Sequence, residues 1–172
     1  MKSDVIQIDS KGNGMETALK EAESVARFRG LNEKETLRLQ MLTEEMMGLV
    51  RSVTGEMAAS FWIDSTDKAF TLHLSTKTKM DANKRYQLIS SSTEGKNAAA
   101  KGFVGFLRDK LETALTAEED GVYYDFNGNP MSEAPVDNEW DRYERSILRM
   151  LADRIFISVR GGKVEMEVLK QF

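Results

Sequence analysis

The sequence predicts an α+β fold, a two-layer α/β sandwich whose mostly antiparallel, mixed sheet carries its helices on one face. Three observations predict it. A long amphipathic stripe runs from Leu39 to Val53. Two alternating segment pairs, near residues 60–74 and 155–168, read as hairpins. Helices and strands come in blocks, in the order β-α-α-β-β-(loop)-α-(insert)-α-β-β.

Val5-Ile6-Gln7-Ile8 is a short β-type stretch, ended by the loop cluster Asp9 to Gly14. Residues 15–29 read as a helix with Leu19, Ala22, Val25 and Ala26 on one stripe and Gly30 as its stop. Asn32 can cap the next helix, and Glu35 completes a capping-box pair. Behind that cap Leu39, Leu42, Met46, Leu49, Val50 and Val53 recur at spacings of three and four, up to Gly55. The stripe makes about six turns.

Ser60 to Ile63 reads as a strand, Asp64 to Lys68 as a turn, and Phe70, Leu72 and Leu74 as the inner face of the return strand. Phe61 and Trp62 are adjacent on their strand and so point to opposite faces. Residues 76–85 are polar and basic, and Ser90 to Asn97 reads as a flexible polar loop. A helix is expected over Ala98 to Leu111, with Phe103, Phe106, Leu107 and Leu111 inward. Another is expected over Asp141 to Leu151. Ile155, Ile157 and Val159 alternate along one closing strand, and Val164, Met166 and Val168 along its partner. Gly161-Gly162 between them can adopt the positive φ of a tight turn.

The chain has 172 residues, 41% hydrophobic and 30% charged, which excludes a disordered protein and fits one domain over residues 1–172. An irregular insert at about 116–139 holds both prolines and many acids. The absence of cysteine excludes disulfides, thiolate zinc sites and cysteine nucleophiles. A net charge of −4 argues against nucleic acid as a partner. No apolar run approaches a membrane span and no signal-like segment opens the chain, so the expected location is cytoplasmic, away from the membrane.

The element order, with Thr43-Glu44-Glu45-Met46-Met47-Gly48-Leu49, Ala99 to Leu107 and Ala152 to Phe172, resembles the GHKL superfamily of ATP-binding domains. Within it the chain is most similar to the anti-sigma-factor serine kinases, of histidine-kinase-like ATPase fold. Those proteins begin with a strand and a helix. A long second helix follows, carrying an acidic residue and an Asn four positions later. A strand pair, a nucleotide-binding loop, a Gly-rich helix start and a closing hairpin come next. The resemblance implies ATP as cofactor, Mg²⁺ beside it, a protein partner that is a regulatory factor, and compatibility with a homodimer. It makes Glu44 the general base of phosphoryl transfer to a serine. It makes Asp81 a late substitute for the adenine-recognising Asp, and Gly102 and Gly105 part of the Gly-rich segment.

The motifs are degenerate. Gly48 stands where the Mg²⁺-holding Asn belongs when counted from Glu44, and Leu49 when counted from Glu45. The Asp-x-Gly-x-Gly loop is missing after Leu74. Weak or lost kinase activity follows from these departures.

Other residues can be read without the resemblance. Ser92-Thr93-Glu94-Gly95-Lys96-Asn97 before a helix can cradle phosphate, with Lys96 and Lys101 adding charge. An ordinary loop capped by Asn97 fits the same residues. Glu44 and Glu45 read equally as solvated helix acids. Lys77, Lys79, Lys84 and Arg85 form a basic patch suited to nucleotide phosphate or an acidic partner, or simply a solvated sheet edge. His73, the one histidine, falls on the polar side of its strand with no acidic cluster nearby in sequence and reads as structural; no metal site is expected.

Three functions are thus in play. One is an ATP-binding regulatory protein. The second is a nucleotide-free protein-interaction module on the same fold. The third is an enzyme acting on another small substrate. The ATP-binding reading requires the Leu39–Val53 stripe to be the inner wall of a cleft closed by residues 92–105.

Overall fold

The computed structural model describes residues 1–55, 58–79, 81–99 and 147–172. The elements, in chain order, are β1 (Ile6–Asp9), α1 (Met15–Phe28), α2 (Glu33–Thr54), β2 (Ala58–Thr66), β3 (Ala69–Lys77), α3 (Ala82–Ser90), β4 (Arg154–Arg160) and β5 (Lys163–Gln171). Residues 147–151 are also helical. The fold is α+β, with five strands in one sheet ordered β1-β2-β3-β5-β4. Every neighbouring pair is antiparallel. The expected mixed sheet is therefore not seen among the described residues, where the parallel pairing is an isolated bridge from Asn97 to Ile157.

Strict alternation makes this sheet one-sided. Phe61, Ile63, Phe70, Leu72, Leu74, Ile155, Ile157, Val159, Val164, Met166 and Val168 are all buried. Their neighbours Trp62, Asp64, Thr71, His73, Ser75, Phe156 and Ser158 are half-buried, and Glu165 and Glu167 are exposed. Helices cover the apolar face: α1 lies against β1 and β2, α2 against β3, and α3 against β4. Each fully buried Leu, Ile or Phe on that face contributes about 1.5–3 kcal/mol of transfer free energy.

In α1 the buried stripe is Ala18, Ala22, Val25 and Ala26. Leu19, expected inward, is only half-buried, and its carbonyl accepts from Gln40 Nε2 of α2 at 3.4 Å. Gly14 starts α1 with φ 82°, and a Cβ there would lie 2.0 Å from the Gln7 carbonyl oxygen. Glycine is what lets this helix begin hard against β1. In α2 the expected Leu39, Leu42, Met46, Leu49 and Val50 are all fully buried, joined by Thr43 and Met47.

The first hairpin is longer than its composition suggests. Asp64, Ser65 and Thr66, expected in the turn, pair with Thr71, Phe70 and Ala69 as the end of β2. Ser65 faces the core, yet its hydroxyl accepts from Arg29 Nε at 3.0 Å and its carbonyl from Arg29 Nη2 at 2.6 Å. Those bonds remove the cost of burying a polar residue there. The turn itself is Asp67-Lys68, with Asp67 at φ 52°. The second hairpin turns on Gly161 and Gly162, both at positive φ.

Residues 82–90, of which 82–85 are expected as part of a polar, basic stretch and 86–89 carry no expected element, form α3. The expected helix over 98–111 and the insert at 116–139 lie outside the described residues, apart from Ala98 and Ala99, which are in a turn. Of the helix expected over 141–151, residues 147–151 are described and helical. No helix among the described residues is long and apolar enough to cross a membrane.

The cap of α2 is a full capping box. Asn32 Oδ1 accepts from Glu35 N at 3.0 Å, and Asn32 N donates to Glu35 Oε2 at 2.9 Å. The Asn32 N–H holds the Glu35 carboxyl below its ordinary value of 4.5; desolvation opposes this and Lys68 assists. A depressed carboxyl contributes stability that is present above its unfolded pKa and lost as pH falls through its folded one. Glu35→Gln keeps the reach-back bond but does not titrate. From about pH 6 to about pH 3, urea unfolding should show the wild-type chain losing more stability than Glu35→Gln. Parallel losses in the two proteins would refute this role for Glu35.

Candidate functional site

The sequence-predicted site residues sit on three pieces of chain: α2, the start of α3, and the segment 91–99. The capping box fixes where α2 starts, and its 3.6-residue period fixes which residues turn outward. Glu44 is exposed on the outer face. Glu45, one position on, is half-buried, with one carboxylate oxygen shielded from solvent. Gly48 is half-buried and Leu49 is fully buried. Neither offers an oxygen, so α2 supplies no Mg²⁺ ligand at the position where the resemblance implies one.

The Leu39–Val50 stripe is not a cleft wall. Leu39, Leu42, Met46, Leu49 and Val50 are closed into the core beneath the helical layer. The described part of the 92–105 segment lies along the far edge of β4 instead. An apolar helix face aimed at a sheet is covered by that sheet, and a wall open to ligand would have exposed these side chains to water.

Asp81 is the N-cap of α3. Its Oδ1 accepts from Lys84 N at 2.7 Å, and its Oδ2 lies 3.9 Å from Lys84 Nζ. That carboxylate is engaged in starting a helix, which the missing Asp-x-Gly-x-Gly motif left unforeseen. Arg85, read as part of a surface basic patch, is buried on α3 at 4% exposure, because it falls on the same helix face as the core residue Leu88. Lys84, Lys77 and Lys79 remain at the surface or partly so.

Residues 93–98 form a strap that completes the β4 edge. Thr93 N donates to the Ile155 carbonyl at 2.9 Å, and Thr93 Oγ1 accepts from Ile155 N at 2.6 Å. Ala98 N donates to the Ile157 carbonyl at 2.8 Å. Asn97 then acts as a peptide mimic: its Oδ1 accepts from Val159 N at 3.0 Å and its Nδ2 donates to the Val159 carbonyl at 2.9 Å. The same Oδ1 accepts from Ala99 N at 3.1 Å. Ser91 and Ser92 are buried, and Arg149 Nη2 fastens the Ser92 carbonyl at 2.9 Å.

The strap is thus not a free loop. Asn97 has its amide committed to β4. Gly95, at φ 63°, and Lys96 stay exposed. Gly102 and Gly105 lie outside the described residues. Sequence reasoning missed the strap because its signal is weak: two polar side chains, Thr93 and Asn97, whose partners are more than 60 residues away.

On the open face of the sheet, Trp62 stacks on His73 with centroids 4.8 Å apart and planes within 5°. Lys2 Nζ sits 4.9 Å from the Trp62 centroid. His73 Nε2 lies 3.2 Å from Asp64 Oδ2, and Nδ1 lies 3.8 Å from Glu167 Oε1. The chain therefore has acids beside its histidine after all. They come from other strands, Glu167 being the cross-strand partner of His73. Among the described residues, no group of three or more His, Cys, Asp or Glu is arranged to hold a metal.

Asn97→Ala should leave the buried Val159 N–H and carbonyl without their partners, at a cost of about 2 kcal/mol or more. Lys96→Ala, on the exposed side of the same strap, should change stability by less than about 0.5 kcal/mol. Urea midpoints at constant m test the pair. Equal effects would show that Asn97 does not hold the strap to β4. No protein-family model and no curated protein matches this chain.

Proposed function

We propose that the protein is a regulatory protein of the GHKL ATP-binding type, resembling the anti-sigma-factor serine kinases, with kinase activity weak or lost. One observation carries the reading. The described elements run strand, helix, long helix, hairpin, helix and closing hairpin around one sheet with its helices on one face. That is the order of the resembled family, except that α3 stands where its nucleotide-binding loop belongs and its Gly-rich helix would fall outside the described residues. The acidic pair Glu44-Glu45 falls on the long helix α2, where the family carries its base.

The closure of the Leu39–Val50 stripe into the core counts against the cleft that nucleotide binding requires, and the side chains favour the regulatory half of this proposal over the catalytic half. Phosphoryl transfer needs its charge neutralised by a metal or cations. Gly48 and Leu49 offer no ligand, Asp81 is held by the Lys84 amide, and Asn97 by Val159. The same observations favour a second reading, a nucleotide-free module that works through protein contacts on the same fold.

A thermal-shift titration with ATP and ADP, with and without Mg²⁺, separates the two. A ligand that binds only the folded state stabilises it, by about 2.7 kcal/mol at 100 times its Kd. The first reading predicts a saturable rise in Tm with ATP, and little or no phosphate transfer to serine in either the wild type or Glu44→Ala. A flat Tm at millimolar nucleotide would leave only the interaction module. Rapid turnover abolished in Glu44→Ala would overturn the claim of weak activity.

A further inference from the structure

The sheet face opposite the described helices ends in a row of cations assembled by strand register. Lys77 on β3 is the cross-strand partner of Lys163 on β5, and Lys163 is the partner of Arg160 on β4. The core-facing residues of these strands are Thr76, Val164 and Val159, so the three cations share the opposite face, which none of the described helices covers. All three are exposed, as is Lys79 just beyond the row. The Thr78 amide donates to the Gly162 carbonyl at 2.9 Å, tying this end of β3 to the turn between β4 and β5.

Like charges placed directly opposite one another destabilise a sheet. Three in succession on adjacent strands, in a chain of net charge −4, are a local cost that packing does not explain. Along the row Glu165 pairs with Lys163, while Lys77 and Arg160 are exposed to solvent. Neighbouring strands are about 4.8 Å apart. Acids one turn apart on a helix are spaced by about 5–6 Å. A helix laid across the strands can therefore set one carboxylate against each cation in turn.

We propose that the Arg160–Lys163–Lys77 row, with Lys79 at its end, is a docking surface for an acidic helical segment of a protein partner. Charge complementarity of this kind sets encounter rate and partner choice more than affinity. The site lies on the face of the sheet away from the described helices, so it stands or falls apart from any nucleotide site on α2.

The test is fluorescence anisotropy of a labelled alanine-based helical peptide with Glu at every fourth position, titrated with the intact chain. Saturable binding is expected, weakened about tenfold as NaCl rises from about 50 to about 300 mM. Arg160→Glu with Lys163→Glu should weaken it by at least about tenfold, while Lys34→Glu on α2 should leave it within about twofold. Arg160→Gln with Lys163→Gln is the milder pair should the reversed one fail to fold. Either pair should melt no lower than the wild type if the row serves binding rather than stability. Absence of binding, equal loss in Lys34→Glu, or no change in either double variant would overturn the proposal. Tighter binding of a short DNA duplex, lost in the same variants, would also overturn it by assigning the row to phosphate.

Discussion

The rest of the molecule depends on alternation along four long strands. Each of β2, β3, β4 and β5 sends every second side chain into the same apolar layer. A slip of one residue in any pairing would turn that strand's whole apolar set into water. The register is therefore strongly held, and it fixes much else. It brings Glu167 beside His73 and lines up Arg160, Lys163 and Lys77. Neither grouping can be altered by sliding a strand without exposing the core.

The polar residues of the molecule are governed by a second constraint, that buried backbone groups need partners. Asn97, Thr93, Asn32, Asp81 and Arg29 all spend their hydrogen-bonding capacity on backbone atoms or on a neighbouring polar group. Seen only in sequence, such residues look like ligands in waiting, because the same atoms that bind phosphate or adenine also bind peptide groups. What separates the two roles is the position of a distant strand. Ile155 and Val159, some 62 residues beyond Thr93 and Asn97, decide the matter here.

Elements whose burial is periodic were legible. The α2 stripe, its capping box, the two hairpins and the opposed faces of Phe61 and Trp62 all follow from spacing alone. The end of β2 was not, because Asp64, Ser65 and Thr66 have turn composition and only Arg29 makes a buried Ser65 tolerable. Helix α3 was missed because its inner face mixes a buried Arg85 with Leu88, which no apolar pattern marks. Of the candidate site, the position of Glu44 on a solvated helix face was readable, whereas the partial burial of Glu45 and the closure of the stripe beneath them required the sheet.

The strap along β4 also limits how this sheet can grow. Its side chains already occupy the positions at which an incoming strand from another chain would seek hydrogen bonds, so that border is closed to β-augmentation. The opposite border is the four-residue β1, continued after a break by the bridge of Lys2 to Asp64, so it offers no long regular template for pairing. Among the described residues, association by adding strands is thus discouraged at both ends of the sheet.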